Sequence, residues 1–476
     1  MISHTFKRQA AALGLAAALA TPASAQTPLT SSGPSTPGTG SPFAGGVPEG
    51  MASAQPIQVS IADAIRRALD HNLGVLQAEE EIDRARGARW RALSDLLPHV
   101  NAGITESRRK TNLEAFGFPL RGEFPRIVGP FSIFDARLFV SQALIDLSAL
   151  NSSRAEAHTV AAARHEYRSA RDLVVLVSAN LYLQALAAAA RVETARAQTD
   201  TAQALYTQAQ DLRQSGIVAG LDVVRAEVRL LTDRQRATAA ENDFQKTKLQ
   251  LARVMGLPIG QEFTLSDRLP QVPTPEMTME EALARAYRER PDFLAAQERV
   301  SAAESAARAI KTDALPSLHV NADYGAIGLT ATSALSTFSV TAAVNVPIFE
   351  GGRLRGRRIE AEADLRSRRS ELEDMRAEIY YDVRTAFLDL QATGEELQAA
   401  TRGRELAAQQ LTQSRDRFAA GVANNIEVIQ AQEAVTLANE QYISALYGFN
   451  VSKALLARSL GTAESAVQKY LGVSNP

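Results

Sequence analysis

Two periodicities alternate along the chain. From Ile61 to Ser94 and from Met279 to Asp313 apolar residues recur at helical spacing. Each run stops at a proline, Pro98 or Pro316, which lacks a backbone donor and turns its predecessor away from helix. Strict alternation follows. Leu318, Val320, Ala322 and Tyr324 oppose Ser317, His319, Asn321 and Asp323, and Phe338, Val340, Ala342, Val344 and Val346 then oppose Ser339, Thr341, Ala343 and Asn345. The first half does the same with Val100, Ala102 and Ile104, then Phe134, Ala136, Leu138 and Val140, against His99, Asn101, Thr105, Asp135, Arg137 and Ser141. A period of two predicts four strands, at about 98–107, 132–143, 316–325 and 337–347. Behind each strand pair the helical period returns in a very long run, about 148–214 and 353–419. A glycine-containing turn and a last helix, about 221–256 and 426–461, complete each half. In the second long run Leu365, Leu372, Met375, Ile379, Val383, Ala386 and Leu390 form a coiled-coil-like stripe.

The halves are copies. Ser60–Ile65 matches Thr278–Leu283, and Asp95-Leu96-Leu97-Pro98 matches Asp313-Ala314-Leu315-Pro316, both at an offset of 218. His99–Ala102 recurs as His319–Ala322 at 220, and Gly216–Ala226 as Gly421–Ala431 at 205. Colinear matches over so long a stretch mark an internal duplication. The predicted organisation is 59–256 for the first copy, 257–277 a Pro-containing linker, 278–461 the second copy and 462–476 a C-terminal segment.

Lys7 and Arg8, an apolar run from Ala10 to Ala20 and Ala23-Ser24-Ala25 predict a signal peptide over 1–25, so the mature chain acts outside the cytoplasm. The Pro/Gly/Ser/Thr-rich stretch 26–58 reads as a disordered leader with no role in the fold. The 476 residues carry 51 Lys+Arg against 53 Asp+Glu, too balanced for a nucleic-acid binder. No cysteine is present, which removes disulfides, thiolate metal sites and Cys nucleophiles. No stretch reaches the apolar length of a membrane-spanning helix, which excludes an inner-membrane pump.

One-faced alternation fits a soluble antiparallel sheet and an outer-membrane barrel alike. Four strands do not close a barrel, and an open edge facing lipid would leave backbone groups unsatisfied. If these strands span a membrane, several chains share one barrel.

The duplicated order of helix, proline, hairpin, long helix, turn and helix resembles the TolC-like outer-membrane efflux protein family over about Ser60–Gly461. So do the strand endings Gln142–Asp146 and Val346–Gly352 and the two glycine-containing turns. The resemblance implies a mainly α chain with a membrane β-barrel: a homotrimer with a twelve-stranded barrel above a periplasmic helical tunnel. Its implied role is the exit duct of a tripartite efflux or type I secretion system. The partners it implies are a periplasmic adaptor, a proton- or ATP-driven inner-membrane pump and outer-membrane lipid; it implies no cofactor. Lipid would meet Val100, Ile104, Phe134, Leu138, Val140, Leu318, Val320, Tyr324, Phe338, Val340 and Val344. The adaptor would meet the tips, Gly216, Ile217, Val218 and Gly220 in one copy and Gly421, Val422, Asn424 and Asn425 in the other. Asp222 and Glu427 match at offset 205 and would narrow the entrance as acids do in this family; where some members carry a further acid this chain has Gln430. Acids in a first helical turn also complement the helix dipole, so a pore ring and a helix-start role both fit them.

Other chemistry is thin. The six histidines form no metal-binding spacing, and no nucleophile elbow, phosphate loop or dinucleotide motif occurs. The run Arg353-Leu354-Arg355-Gly356-Arg357-Arg358 reads as a solvated face or as a contact with anionic phospholipid. The alternative to a duct is a non-conducting periplasmic or surface coiled-coil structural protein.

Overall fold

The structure is a computed structural model that describes residues 41–116, 125–216, 218–273, 277–420, 422 and 425–471. The predicted signal peptide and the leader up to residue 40 lie outside the described residues.

Each copy opens with two helices where the periodicity predicts one. α1 (Ile61–His71) and α2 (Leu73–Ser94) break at Asn72, and α5 (Met279–Glu289) and α6 (Pro291–Thr312) break at Arg290. Asn72 is extended and fully buried; its Oδ1 accepts from Gly74 N at 2.9 Å and its Nδ2 donates to the Phe43 carbonyl at 2.9 Å. Arg290 is extended because Pro291 follows it. Both copies start on a capping box, Ser60 with Asp63 and Thr278 with Glu281, which satisfies backbone donors reciprocally.

The long helices are α3 (Leu147–Gln214) and α7 (Arg353–Ala419), each on the order of 100 Å at about 1.5 Å per residue. The returning helices are α4 (Gly220–Val254) and α8 (Asn425–Ser459), and a short α9 (Ala463–Tyr470) ends the described chain. α3 packs on α2, α4, α6 and α8, and α7 on α5, α6 and α8. The predicted stripe of α7 is the contact: Ile379, Val383, Ala386 and Leu390 are buried against Phe449, Leu456 and Leu460 of α8 and Phe293 of α6.

The main core lies at the middle of the helical body. Val175, Tyr182, Leu183 and Leu186 of α3 meet Ile61 and Ile65 of α1, Leu251 of α4, Val451 of α8 and Val467 of α9. Here α3 carries an 18-residue window apolar enough to cross a membrane by length and composition, contrary to the sequence expectation; 67% of it is buried inside the protein. Its apolarity serves a core wrapped from several sides. The close packing also needs Gly256 and Gly461, both at positive φ: a Cβ would lie 2.6 Å from His71 Cβ and 2.5 Å from Arg290 Cα.

Residues 41–58 are not a fold-free leader. Val47 N donates to the His71 carbonyl at 2.8 Å, Phe43 packs against the Val75 and Val174 cluster, and β1 (Ile57–Val59) pairs in parallel with β4 (Phe263–Leu265) of the 257–277 segment. The strap holds through its backbone groups, which composition does not reveal.

Four strands form one antiparallel sheet in the order β2-β3-β5-β6: β2 (His99–Asn112), β3 (Ile127–Ile145), β5 (Ser317–Gly328) and β6 (Leu335–Asn345). The first hairpin extends past its predicted ends, 107 and 132, because the backbone ladder continues through polar Arg108 and Arg109, with a register shift before Thr111.

Candidate functional site: strand faces and helical tips

Residues paired directly across strands share a face. One row runs Val100, Val140, Ala322, Val340; the next runs Ala102, Leu138, Tyr324, Phe338. Beyond them Ile104 pairs with Ala136, and Phe134 with Gly328; toward the helices Gln142, Val320 and Ala342 align, then Ile145, Leu318 and Val344 after a bulge. All eleven residues predicted to meet lipid therefore share one face, whose polar members include Glu106, Arg108, Ser132, Gln142 and Ser336. The other face carries His99, Asn101, Asp323, Ser339 and Thr341, interrupted by Phe139. There Arg137 Nε donates to Asp135 at 2.7 Å and its Nη1 to Asp323. The Arg137 side chain lies over Gly325, where a Cβ would be 2.5 Å from Arg137 Cγ.

At the opposite end of the long helices the chain reverses twice. α3 stops at Gln214 and Gly216 turns at φ +74, donating its N–H to the Arg213 carbonyl. α4 then starts at Gly220 without a side-chain cap. Ile217, Gly421 and Asn424 lie outside the described residues; Val422 is exposed, and Asn425 begins α8.

Asp222 and Glu427 each occupy a first turn, where a carboxylate complements the helix dipole. Each also meets an arginine: Arg225 Nη1 lies 3.4 Å from Asp222 Oδ1, and Arg417 Nε 3.1 Å from Glu427 Oε1. Gln430 is exposed one turn further along α8. Asp222, Val218 and Arg225 line a cavity of about 310 Å³ between the α3/α4 and α7/α8 hairpins, with Leu205, Leu212, Phe418, Ile426 and Ile429 as its apolar walls.

Sequence reasoning missed the ion network above this cavity. Arg229 reaches Asp233 at 2.8 Å and pairs across to Glu433 of α8; Arg236 Nη2 donates to Glu433 at 3.0 Å. Burial opposes ionisation of Glu433, but the hydrogen bonds from Arg236 and Arg229 hold its carboxyl below the ordinary range. The Arg229–Asp233 spacing of four was legible; the partner on α8 was not. A second missed charge is Lys453, fully buried near the main core, its Nζ donating to the Val272 carbonyl at 3.0 Å and lying 4.8 Å from the Phe449 ring centre. Phe244 and Lys248 repeat this pair at offset 205, with Lys248 Nζ 5.6 Å from the Phe244 ring centre.

Of the basic run, Arg353, Arg357 and Arg358 pair with Glu350, Asp313 and Glu362. His158 meets Glu298 at 2.7 Å. Among the described residues no group of three or more His, Asp or Glu is arranged to hold a metal ion.

The sequence model of the outer membrane efflux protein family matches residues 64–257 and 282–462, one segment in each copy. The chain belongs to this family. It is 26% identical over 399 residues to the pyoverdine export outer membrane protein OpmQ of Pseudomonas putida, spanning 79% of this chain and 80% of that one. It is 21% identical over 417 residues to the alkaline protease secretion protein AprF of Pseudomonas aeruginosa, spanning 86% and 85%. The Campylobacter jejuni CmeC outer membrane channel shares the fold, with a TM-score of 0.74 at 16% identity over 87% of this chain and 88% of that one. An outer membrane efflux protein thus has its apolar strand face at one end of the long helices and its two tip hairpins at the other.

Proposed function

We propose that three copies of this protein close one barrel and one helical tunnel, forming a passive exit duct gated at its helical tips. The observation that carries the reading is the sheet. It has one apolar face and one polar, ion-paired face, and it ends in open edges at β2 and β6. In lipid those edges must be paired, which further copies of the same sheet accomplish. The apolar face then meets outer-membrane lipid and the polar face lines the lumen. The signal peptide delivers the chain across the inner membrane, and the helices extend into the periplasm.

At the tips a periplasmic adaptor meets the turns and connects the duct to a proton- or ATP-driven inner-membrane transporter. The names of OpmQ and AprF, an exporter of pyoverdine and a secretor of alkaline protease, support an exported cargo chosen upstream of the duct. Repeated around a three-fold axis, Asp222 and Glu427 bring carboxylates to a narrowing and favour cations, while Arg225 and Arg417 hold them in place.

Asp222→Asn with Glu427→Gln tests this. In planar bilayers the doubly substituted protein is expected to form trimers and to lose cation preference or change conductance. Intact trimers with unchanged selectivity and conductance would leave these acids only their helix-start role. A detergent-solubilised monomer at native mass would overturn the shared barrel.

A further inference from the structure

The duplication shows where each chain is left unfinished. Within the chain β3 leads into α3, β5 follows α6, and the pairing of these strands accompanies packing of α3 on α6. Arg299 Nη2 lies 2.6 Å from Glu166, His158 Nδ1 lies 2.7 Å from Glu298, and Asn151 Nδ2 donates to Thr312 at 3.3 Å. Further along, α3 packs on α8, where Arg191 Nε donates to Glu440 at 2.8 Å and Leu183 shares the main core with Ala454. The same order of elements recurs at the open sheet edges, where β6 leads into α7 and β2 follows α2.

There the counterparts are uncovered. At the offset of 205, Asn151, Ala162 and Leu183 are buried on α3, whereas Gly356, Ser367 and Leu388 are exposed on α7, Leu388 to 59%. Leu176 is partly buried in the main core, and its counterpart Tyr381 is 65% exposed. At the offset of 218, Pro291, Ala295 and Ser305 are buried on α6, whereas Leu73, Gln77 and Gly87 are exposed on α2. Ala454 of α8 is buried, and its counterpart Leu249 of α4 is 71% exposed.

We propose that α7 of one copy seats on α2 and α4 of the next as α3 seats on α6 and α8 within a chain. Tyr381 and Leu388 are then covered by Leu73 and Leu249 of the next copy. The occupant is a second copy because pairing β6 with that copy's β2 itself carries α7 to α2; the seam thus rests on the shared barrel proposed above. Its chemistry differs from that of the seam inside the chain. Arg191 and Glu440 become Glu396 and Gln235, His158 and Glu298 become Ala363 and Glu80, and Glu166 and Arg299 become Glu371 and Glu81. The last is a like-charged pair, which opposes association, although Arg84 and Arg368 hold these acids at 2.6 and 3.0 Å. Apolar burial therefore carries the contact between chains, whereas ion pairs reinforce the contact within one.

The chain has no cysteine, so introduced thiols are unique. In the full-length protein in detergent, Glu80→Cys with Ala363→Cys reproduces the positions of the His158–Glu298 contact. A short bis-maleimide should join this variant into covalent dimers and trimers on denaturing gels, and each single variant should run as a monomer. Native-mass trimers without that ladder, or an equal ladder from a single variant, would overturn the seam and leave the shared barrel standing. A monomer at native mass would overturn both. Glu81→Arg restores the Arg299–Glu166 pattern and should raise the temperature at which trimers dissociate; adding Glu371→Arg should cancel the gain. Leu388→Asn should lower that temperature while the helical circular dichroism stays that of wild type. A temperature unmoved by Glu81→Arg would refute the facing of the two acids, and one unmoved by Leu388→Asn would refute the apolar contact.

Discussion

Replacing Lys453 with methionine should stabilise the protein near neutral pH, and the gain should disappear in alkali. Lys453 is fully buried, and no carboxylate pairs with it among the described residues; burial lowers its ammonium from 10.5 to about 8. At 1.36 kcal/mol per decade that difference is about 3 kcal/mol. The sign follows from linkage. Below pH 8 both folded and unfolded chains hold the proton, and the fold carries the full cost of a buried ammonium. Between pH 8 and 10.5 the unfolded chain holds more protons than the folded one, so stability rises with pH. Methionine keeps the length of the stem but leaves the Val272 carbonyl without its donor, a loss of about 1 kcal/mol. The net expectation is a gain of about 2 kcal/mol at pH 7 that fades towards pH 10. Urea midpoints read by helical circular dichroism from pH 7 to 10, taken as the difference between the two proteins, cancel the titration of other groups. A difference that stays flat across this range would refute the buried-charge argument, and a strongly destabilised variant would show that the Val272 bond outweighs desolvation.

Three further outcomes are expected. Val340→Arg, in the row shared with Val100, Val140 and Ala322, should cost about 2–4 kcal/mol of barrel stability if it lies near the bilayer midplane. Val344→Arg, beside the strand end, should cost roughly 0–1 kcal/mol and Thr341→Arg, on the polar face, little; heat-modifiable trimers on gels would rank them, and equal losses would mean the faces are misassigned. Gly461→Ala should destabilise by about 1–3 kcal/mol, because φ is +72 and the new Cβ would lie 2.5 Å from Arg290 Cα; an unchanged melting temperature would contradict the close approach. Arg229→Met should leave Asp233, 2% exposed, with only Arg236 Nη1 at 3.4 Å and cost about 1.5–3 kcal/mol, read as lower protease resistance of the α4/α8 contact; Arg229→Lys should recover part of it.

What the sequence determines here is periodic or repeated. A helical stripe such as Ile379, Val383, Ala386 and Leu390 names its own buried face, because side chains three and four apart stand together on a helix. Strand alternation likewise assigns Val340 and Thr341 to opposite faces before any partner is known. The duplication then carried the order of elements from one half to the other, and with it the family. Some missed features had local signals: the Arg290-Pro291 pair breaks a helix that apolar spacing alone runs through, since the residue before proline avoids helical backbone.

Tertiary structure decided whatever depends on two distant segments meeting. Residues 41–58 look like a disordered leader because their composition is poor in apolar side chains, yet they are held by backbone bonds to His71 and by pairing with Phe263–Leu265. The same holds for Lys453 on the Val272 carbonyl, for Glu433 between Arg229 and Arg236, and for Gln432 beside the tip cavity. Each is an unremarkable polar residue on a helix until another element removes its water, and a pattern along one chain does not encode which surface will do that.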